Sequence, residues 1–120
     1  MGLDMYAYMT RETPARPVDF EIEDASPFYY WRKHPDLHGW MEELYREKGG
    51  EEQFNCVPVQ LTASDLDRLE ADIRSGDLPD TTGFFFGDSD GTETAGDLAF
   101  IAAARVALAE GYTIYYNSWW

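Results

Sequence analysis

Cysteine, histidine and long apolar runs are scarce in this chain of 120 residues, and each scarcity argues against a class of protein. Cys56 is the single cysteine, so no disulfide can form within the chain, which fits a reducing compartment. With two histidines and one cysteine, a structural zinc site is not expected. No window approaches the roughly 18 consecutive apolar residues that suggest a membrane span.

Basic residues are also few, since 9 Lys and Arg stand against 23 Asp and Glu, for a formal net charge of −14. Such a charge repels phosphate backbones and anionic membrane surfaces, so neither direct nucleic-acid binding nor membrane binding is expected. A basic protein surface would instead be attracted. Residues 1–50 carry 10 acids and 6 bases, whereas residues 51–120 carry 13 acids and 3 bases. Any acidic face is therefore expected mainly from the second half.

Apolar material is plentiful, with 44% hydrophobic and 16% aromatic residues. This composition is far from that of disordered chains, and the length fits one domain over residues 1–120. The first residues lack a basic segment followed by an apolar stretch, so no signal peptide is expected. These features together predict a cytoplasmic protein.

Hydropathy patterns predict an α+β fold in which about three helices pack on a small mixed or antiparallel sheet. Alternating or β-type residues predict strands at 2–9, 18–23, 54–61, 84–86 and 112–120. Helices are predicted to begin near Pro35, after Thr62 as N-cap and after Asp97 as N-cap, and to end at Gly49, Gly76 and Gly111. A polar loop is expected at 87–96.

Clustered carboxylates are the candidate partner-binding residues. They are Glu42, Glu43 and Glu47 on the first helix, Asp65, Asp67, Glu70 and Asp72 on the second, and Asp88, Asp90 and Glu93 in the 87–96 loop. Only Arg68 and Arg74 are expected to offset the second group. Carboxylates arranged like phosphates could occupy a basic nucleic-acid channel on another protein. The alternative is that the charge simply aids solubility.

The 87–96 loop has a faint likeness to a calcium-binding loop, because hard cations prefer clustered carboxylates. The position twelve residues along from Asp88, where a bidentate Glu would stand, is Ala99. A solvated turn is therefore the preferred interpretation. We expect no metal and no other cofactor.

An enzyme is the main alternative function. Tyr30, Trp31, Arg32, His34 and His38 supply a cation, two proton carriers and stacking surfaces within one short stretch. The residue before a proline is biased away from helical angles, however, so the two histidines need not share a helix face. No signature of nucleophilic catalysis surrounds the single cysteine. No catalytic residue is predicted.

Two tryptophans, Trp119 and Trp120, end the sequence. Packing back onto the sheet is the preferred interpretation, because exposed tryptophans are costly unless they bind something. The alternative is self-association through these rings, so a monomer and a homodimer both stay open.

Four segments carry a resemblance to known proteins. They are the opening MGLDMY, Tyr30-Trp31-Arg32-Lys33, Asn55-Cys56 and the closing YYNSWW. Together they look like a family of small uncharacterised proteins of bacteriophages, prophages and bacteria, over the whole chain. These motifs have no assigned chemistry, so the resemblance implies no catalytic residue. Small acidic phage proteins include inhibitors of host defence, such as anti-CRISPR proteins. The resemblance therefore implies an inhibitor of a nucleic-acid-handling defence complex in the host cytoplasm.

Overall fold

A computed structural model of the chain describes residues 3–32, 34–79 and 94–119, apart from the side chain of Arg32. Its elements are β1 (Asp4–Thr10), β2 (Ser26–Arg32), α1 (Pro35–Glu47), β3 (Val59–Leu61), α2 (Ala63–Ser75), α3 (Thr94–Ala109) and β4 (Thr113–Trp119). The predicted α+β class, with three helices and a small antiparallel sheet, is confirmed.

The described strands form one antiparallel sheet in the order β2-β1-β4-β3. The two central strands come from opposite ends of the sequence and pair along their whole length, from Asp4 opposite Trp119 to Thr10 opposite Thr113. The short strand β3 lies at one edge, opposite Ile114–Tyr116. Closing this sheet therefore requires the first and last segments of the chain to meet.

The helices cover one face of the sheet. Side chains alternate along β1 and the residue before it, so that Leu3, Met5 and Ala7 are fully buried in the core that they share with α1, α2 and α3. The intervening residues Asp4 and Tyr6 point to the opposite face and are partly exposed. Among the described residues, the three helices thus pack on one side of the sheet, and the other side carries Asp4 and Tyr6.

A β-bulge in β2 adapts that strand to α3. Ala7 pairs with Tyr29 while Tyr8 pairs with Pro27, so Phe28 is an extra residue in β2. Because of this insertion, Phe28 and Tyr29 both place their rings against Phe100, with centroid distances of 5.7 and 5.6 Å. The bulge gives β2 two successive aromatic contacts with the same helix.

The first two helices begin and end as their sequences predict. Pro35 occupies the first turn of α1, where its missing N–H costs no hydrogen bond. His34, immediately before it, has φ −111° and ψ 73°, so the expected departure from helical angles is confirmed. In α2, the hydroxyl of Thr62 accepts from the N–H of Asp65, and Gly76 ends the helix with φ 75°.

The strand predicted at 18–23 is wrong, and the second strand lies at 26–32 instead. Val18 makes only an isolated bridge to Val59, and Asp19 has φ 53°, which interrupts an extended backbone. The predicted strand at 54–61 shrinks to Val59–Leu61, because Cys56 has φ 61°. Left-handed backbone at these two non-glycine residues ends regular pairing.

The third helix starts earlier than predicted. It runs over Thr94–Ala109, so Asp97 lies in its first turn and is not its N-cap. The predicted strand at 84–86 and most of the predicted 87–96 loop lie outside the described residues. Of the helices within the described ranges, none has both the length and the apolar character that crossing a membrane requires.

Candidate functional site

The predicted partner-binding acids of α1 and α2 form ion pairs with bases of all three helices. The pairs are Arg46–Glu42 at 3.3 Å, Arg68–Glu47 at 2.6 Å, Lys48–Asp65 at 2.5 Å, Arg74–Glu70 at 2.9 Å, Arg105–Glu70 at 2.7 Å and Arg105–Asp67 at 2.8 Å. We call this set the helix ion-pair network. Five predicted acids thus lie beside five of the nine bases.

Lys48 and Asp65 form the least exposed pair of this network, with side chains 16% and 13% exposed. The ammonium group also donates to the carbonyl of Gln60, which ties α1 to β3 and α2. Burial acts to raise the pKa of Asp65, but hydrogen bonds from Lys48 and Thr62 outweigh burial and lower it. This carboxylate therefore joins three elements of the fold.

The remaining pairs are more exposed. Hydrogen bonds from Arg68 lower the pKa of Glu47, and those from Arg105 and Arg74 lower the pKa of Glu70. Exposed pairs of this kind contribute little to stability, because water screens them. Their main consequence here is electrostatic, since the charge of these acids is balanced locally.

The expectation that only Arg68 and Arg74 offset the second helix is wrong. Lys48 and Arg105 also pair with its acids, and Arg105 lies 35 residues from Glu70 in the sequence. The packing of α3 against α2 creates this contact. No local sequence pattern signals it.

Two of the predicted acids differ from the rest. Asp72 accepts a 2.8 Å hydrogen bond from the indole N–H of the buried Trp40, so it has a structural partner. Glu43 is exposed and borders a groove of about 330 Å³ together with Gly39, Glu42, Arg46 and Pro79. The predicted loop acids Asp88, Asp90 and Glu93 lie outside the described residues.

The two histidines of the alternative enzyme site are buried, with 3% and 1% of their surface exposed. His34 Nε2 lies 2.7 Å from Oδ2 of Asp97, and the indole N–H of Trp31 donates to Oδ1 of the same carboxylate at 3.0 Å. Tyr29 donates to the carbonyl of Gly96 at 2.8 Å. These contacts fasten the start of α3 to β2 and to the start of α1.

His38 has a different partner. Its Nδ1 lies 2.7 Å from the hydroxyl oxygen of Tyr116 in the middle of the core. Burial lowers the pKa of His38 to about 4 and raises the pKa of Tyr116 well above its usual value. Both groups are therefore neutral near pH 7. The two histidines belong to separate buried contacts, and neither lines the groove beside Glu43.

A second groove, of about 350 Å³, lies where residues 16–21 meet residues 52–58. It is lined by Arg16, Asp19, Phe20, Glu21, Glu52, Cys56, Val57 and Pro58. Asp19 connects the two segments, because its N–H donates to the carbonyl of Pro58. Its carboxylate accepts a hydrogen bond from the hydroxyl of Tyr45. Within the described ranges, no three His, Cys, Asp or Glu side chains are arranged to hold a metal ion.

The face of the sheet opposite the helices carries a row of aromatic rings that the sequence analysis missed. We call this face the tyrosine face. Its described residues are the aromatic Tyr6, Tyr8, Tyr30, Tyr115 and Trp119, together with Asp4 and Asn117. Ring centroids lie 5.1 Å apart for Tyr6 and Tyr30, and 5.1 Å apart for Tyr8 and Tyr115. The alternation of β1, with tyrosine at positions 6 and 8, was the available signal.

Exposure on the tyrosine face is concentrated at its two sides. Tyr30 on β2 is 50% exposed and Trp119 on β4 is 67% exposed, whereas Tyr115 is covered by the ring of Phe20. The prediction that Trp119 packs back onto the sheet is therefore wrong. Trp120 lies outside the described residues. Exposed tyrosine and tryptophan are typical of binding surfaces.

Comparison with known proteins adds no assignment, since no family model, no curated protein and no solved structure matches the chain.

Proposed function

We propose that this protein binds a basic surface on a nucleic-acid-handling protein complex and blocks that surface. The observation that carries this proposal is the excess of 14 acids over bases. Within residues 3–32, 34–79 and 94–119, no ion pair involves Glu21, Glu23 or Asp24, so part of this excess stands outside the helix ion-pair network. A fold gains no stability from such self-repulsion, which favours a role in attracting a partner.

The groups at the described surface suit binding better than catalysis. The histidines that could transfer protons are buried in structural contacts with Asp97 and Tyr116. The exposed groups include carboxylates and the aromatic rings of Tyr30 and Trp119. Carboxylates attract cationic surfaces over a distance, and aromatic rings supply buried contact area once the partner is bound.

The specific form of the proposal is inhibition of a host defence complex, such as a CRISPR effector, in the host cytoplasm. The resemblance to small phage and prophage proteins supports this target class. A channel that accepts phosphate groups is lined with Lys and Arg, and these side chains also bind carboxylates. A bound acidic protein would thus compete with nucleic acid for the same charges.

Affinity capture followed by competition tests the proposal. The tagged protein is incubated with host lysate at low and at moderate salt, and captured complexes are identified by mass spectrometry. We expect a nucleic-acid-binding complex that is lost as salt rises and is displaced by added DNA.

A polyglutamate peptide serves as the control bait, because it has the negative charge without the fold. A complex captured equally by polyglutamate reflects charge alone and counts against a specific function. A specific partner that binds this protein and DNA simultaneously would contradict the blocking role.

A further inference from the structure

We infer that the tyrosine face is the docking surface and that it takes an arginine-rich segment of the partner protein. This inference rests on the proposed function and adds to it the place of contact and the chemistry of the contacting residue. The predicted contact on α1 and α2 is set aside, because the helix ion-pair network balances five of its seven acids with bases.

The geometry of the face provides two exposed rings with a carboxylate between them. Asp4 and Tyr6 lie on β1, whereas Tyr30 and Trp119 lie on the strands at either side of it. At the usual strand spacing, the two flanking strands are roughly 10 Å apart. The hydroxyl of Tyr30 donates a 2.7 Å hydrogen bond to Oδ1 of Asp4, which fixes the ring beside the carboxylate.

A guanidinium group fits this arrangement better than other cations do. It is planar, so it can stack on an aromatic ring, and it carries several N–H donors for a neighbouring carboxylate. Lysine has the same charge but lacks the planar group that stacks. Arg32 stands opposite Asp4 in the register, and its side chain lies outside the described part of the chain.

The surroundings of the tyrosine face are acidic. Residues 11–25 cross one end of it, where Phe20 contacts Tyr115 and the hydroxyl of Thr10 donates to the carbonyl of Asp24. This segment contributes the acids Glu12, Glu21, Glu23 and Asp24, whereas the carboxylate of Asp19 contacts Tyr45 and Arg16. Burial raises the pKa of Tyr115, and the nearby charges of Tyr8 and Glu12 raise it further.

The described basic side chains make their contacts elsewhere. Arg46, Lys48, Arg68, Arg74 and Arg105 belong to the helix ion-pair network, Arg11 lies over the ring of Tyr112, and Arg16 contacts Asp19. The described charges at the face are therefore complementary to a cationic segment.

The same charges disfavour two other occupants. Single-stranded nucleic acid stacks on aromatic rings, but its phosphates would be repelled by the acids of residues 11–25. A second copy of this chain would bring two such acidic segments together, each on a protein of net charge −14. A basic protein segment satisfies both the rings and the carboxylates.

Peptide titration tests the inference. Octa-arginine and octa-lysine peptides are titrated by calorimetry into the wild type and into Tyr30→Leu, Trp119→Leu and the double variant. Leucine keeps apolar area and removes the aromatic ring. We expect the wild type to prefer octa-arginine, each single variant to bind it about two- to fivefold more weakly, and the double variant to lose the preference.

Two further variants serve as controls. Tyr30→Phe keeps the ring without the hydroxyl and should retain the preference for arginine. Val106→Ala changes a side chain on α3 that is 58% exposed and should leave both affinities unchanged. Thermal unfolding of each variant confirms that the chain is folded before titration.

The outcomes separate this inference from the proposed function. Equal binding of the two peptides by the wild type, or an unchanged preference in the double variant, overturns the inference. If the captured basic partner binds the double variant normally but fails to bind Glu43→Lys, the proposed function stands and the docking surface is wrong. A wild-type dimer that Trp119→Leu dissociates, seen by sedimentation, would assign the face to a second copy and also overturn the inference.

Discussion

His34 and Asp97 meet inside the protein although 63 residues separate them in the sequence. Nε2 of His34 lies 2.7 Å from Oδ2 of Asp97, and the other carboxylate oxygen accepts the indole N–H of Trp31. All three side chains are buried. One carboxylate thus holds together β2, the residue before α1 and the first turn of α3.

We expect replacement of this carboxylate to destabilise the fold. Asp97→Ala leaves two buried donors without an acceptor, at a cost of about 1–3 kcal/mol for each, so a loss near 3 kcal/mol is expected in chemical unfolding. Asp97→Asn keeps one acceptor oxygen and should lose less. Equal stability of the wild type and the alanine variant would contradict a structural role for this contact.

Acidification should weaken the protein through His38. The pKa of this histidine is lowered to about 4 by burial, below its usual value of about 6.5, so the unfolded chain binds the proton more readily. Its contribution to the free energy of unfolding is complete above pH 6.5 and falls as pH drops toward 4. Between about pH 7 and pH 5 the expected loss is about 2 kcal/mol.

Denaturation by urea at these two pH values measures the effect. The variant His38→Asn keeps a hydrogen-bonding group for Tyr116 and removes the titrating ring. It should lose clearly less stability than the wild type over the same interval. An identical loss in both proteins would assign the pH dependence to other groups.

Charge reversal should lower thermal stability more at an acid of the helix ion-pair network than at an acid outside it. Glu70→Lys places a third cation beside Arg74 and Arg105, whereas Glu43 has an exposed side chain outside the helix ion-pair network. We expect Glu70→Lys to lower the midpoint of thermal unfolding, and Glu43→Lys to leave it nearly unchanged. Equal effects in thermal unfolding would show that the ion pairs do not distinguish these positions.

Local patterns predicted those parts of the fold that local physics determines. The alternation at 2–9 identified β1, and the cap at Thr62 identified the start of α2. The same alternation at 18–23 failed, because Asp19 adopts a left-handed backbone that brings Phe20 onto Tyr115. Alternation indicates which side chains are buried. An irregular segment can also bury every second residue without pairing with a neighbouring strand.

The contacts of the candidate site join residues that are distant in the sequence, so local patterns did not predict them. The acids of α2 were correctly placed on one helix, but Arg105, which neutralises two of them, comes from α3. His34 and His38 are close in sequence, yet each is buried against a partner more than 60 residues away. The tyrosine face arises only when β1 lies between β2 and β4.

Amide NMR spectra of the isotopically labelled protein, recorded during titration with octa-arginine, test the central claim most directly. Binding at the tyrosine face predicts the largest shifts for residues of β1, β2 and β4, with the indole N–H of Trp119 among them. Residues near Glu43 on α1 and near Glu70 on α2 should shift little. The largest shifts on α1 and α2, with β1 and Trp119 unchanged, would contradict the account.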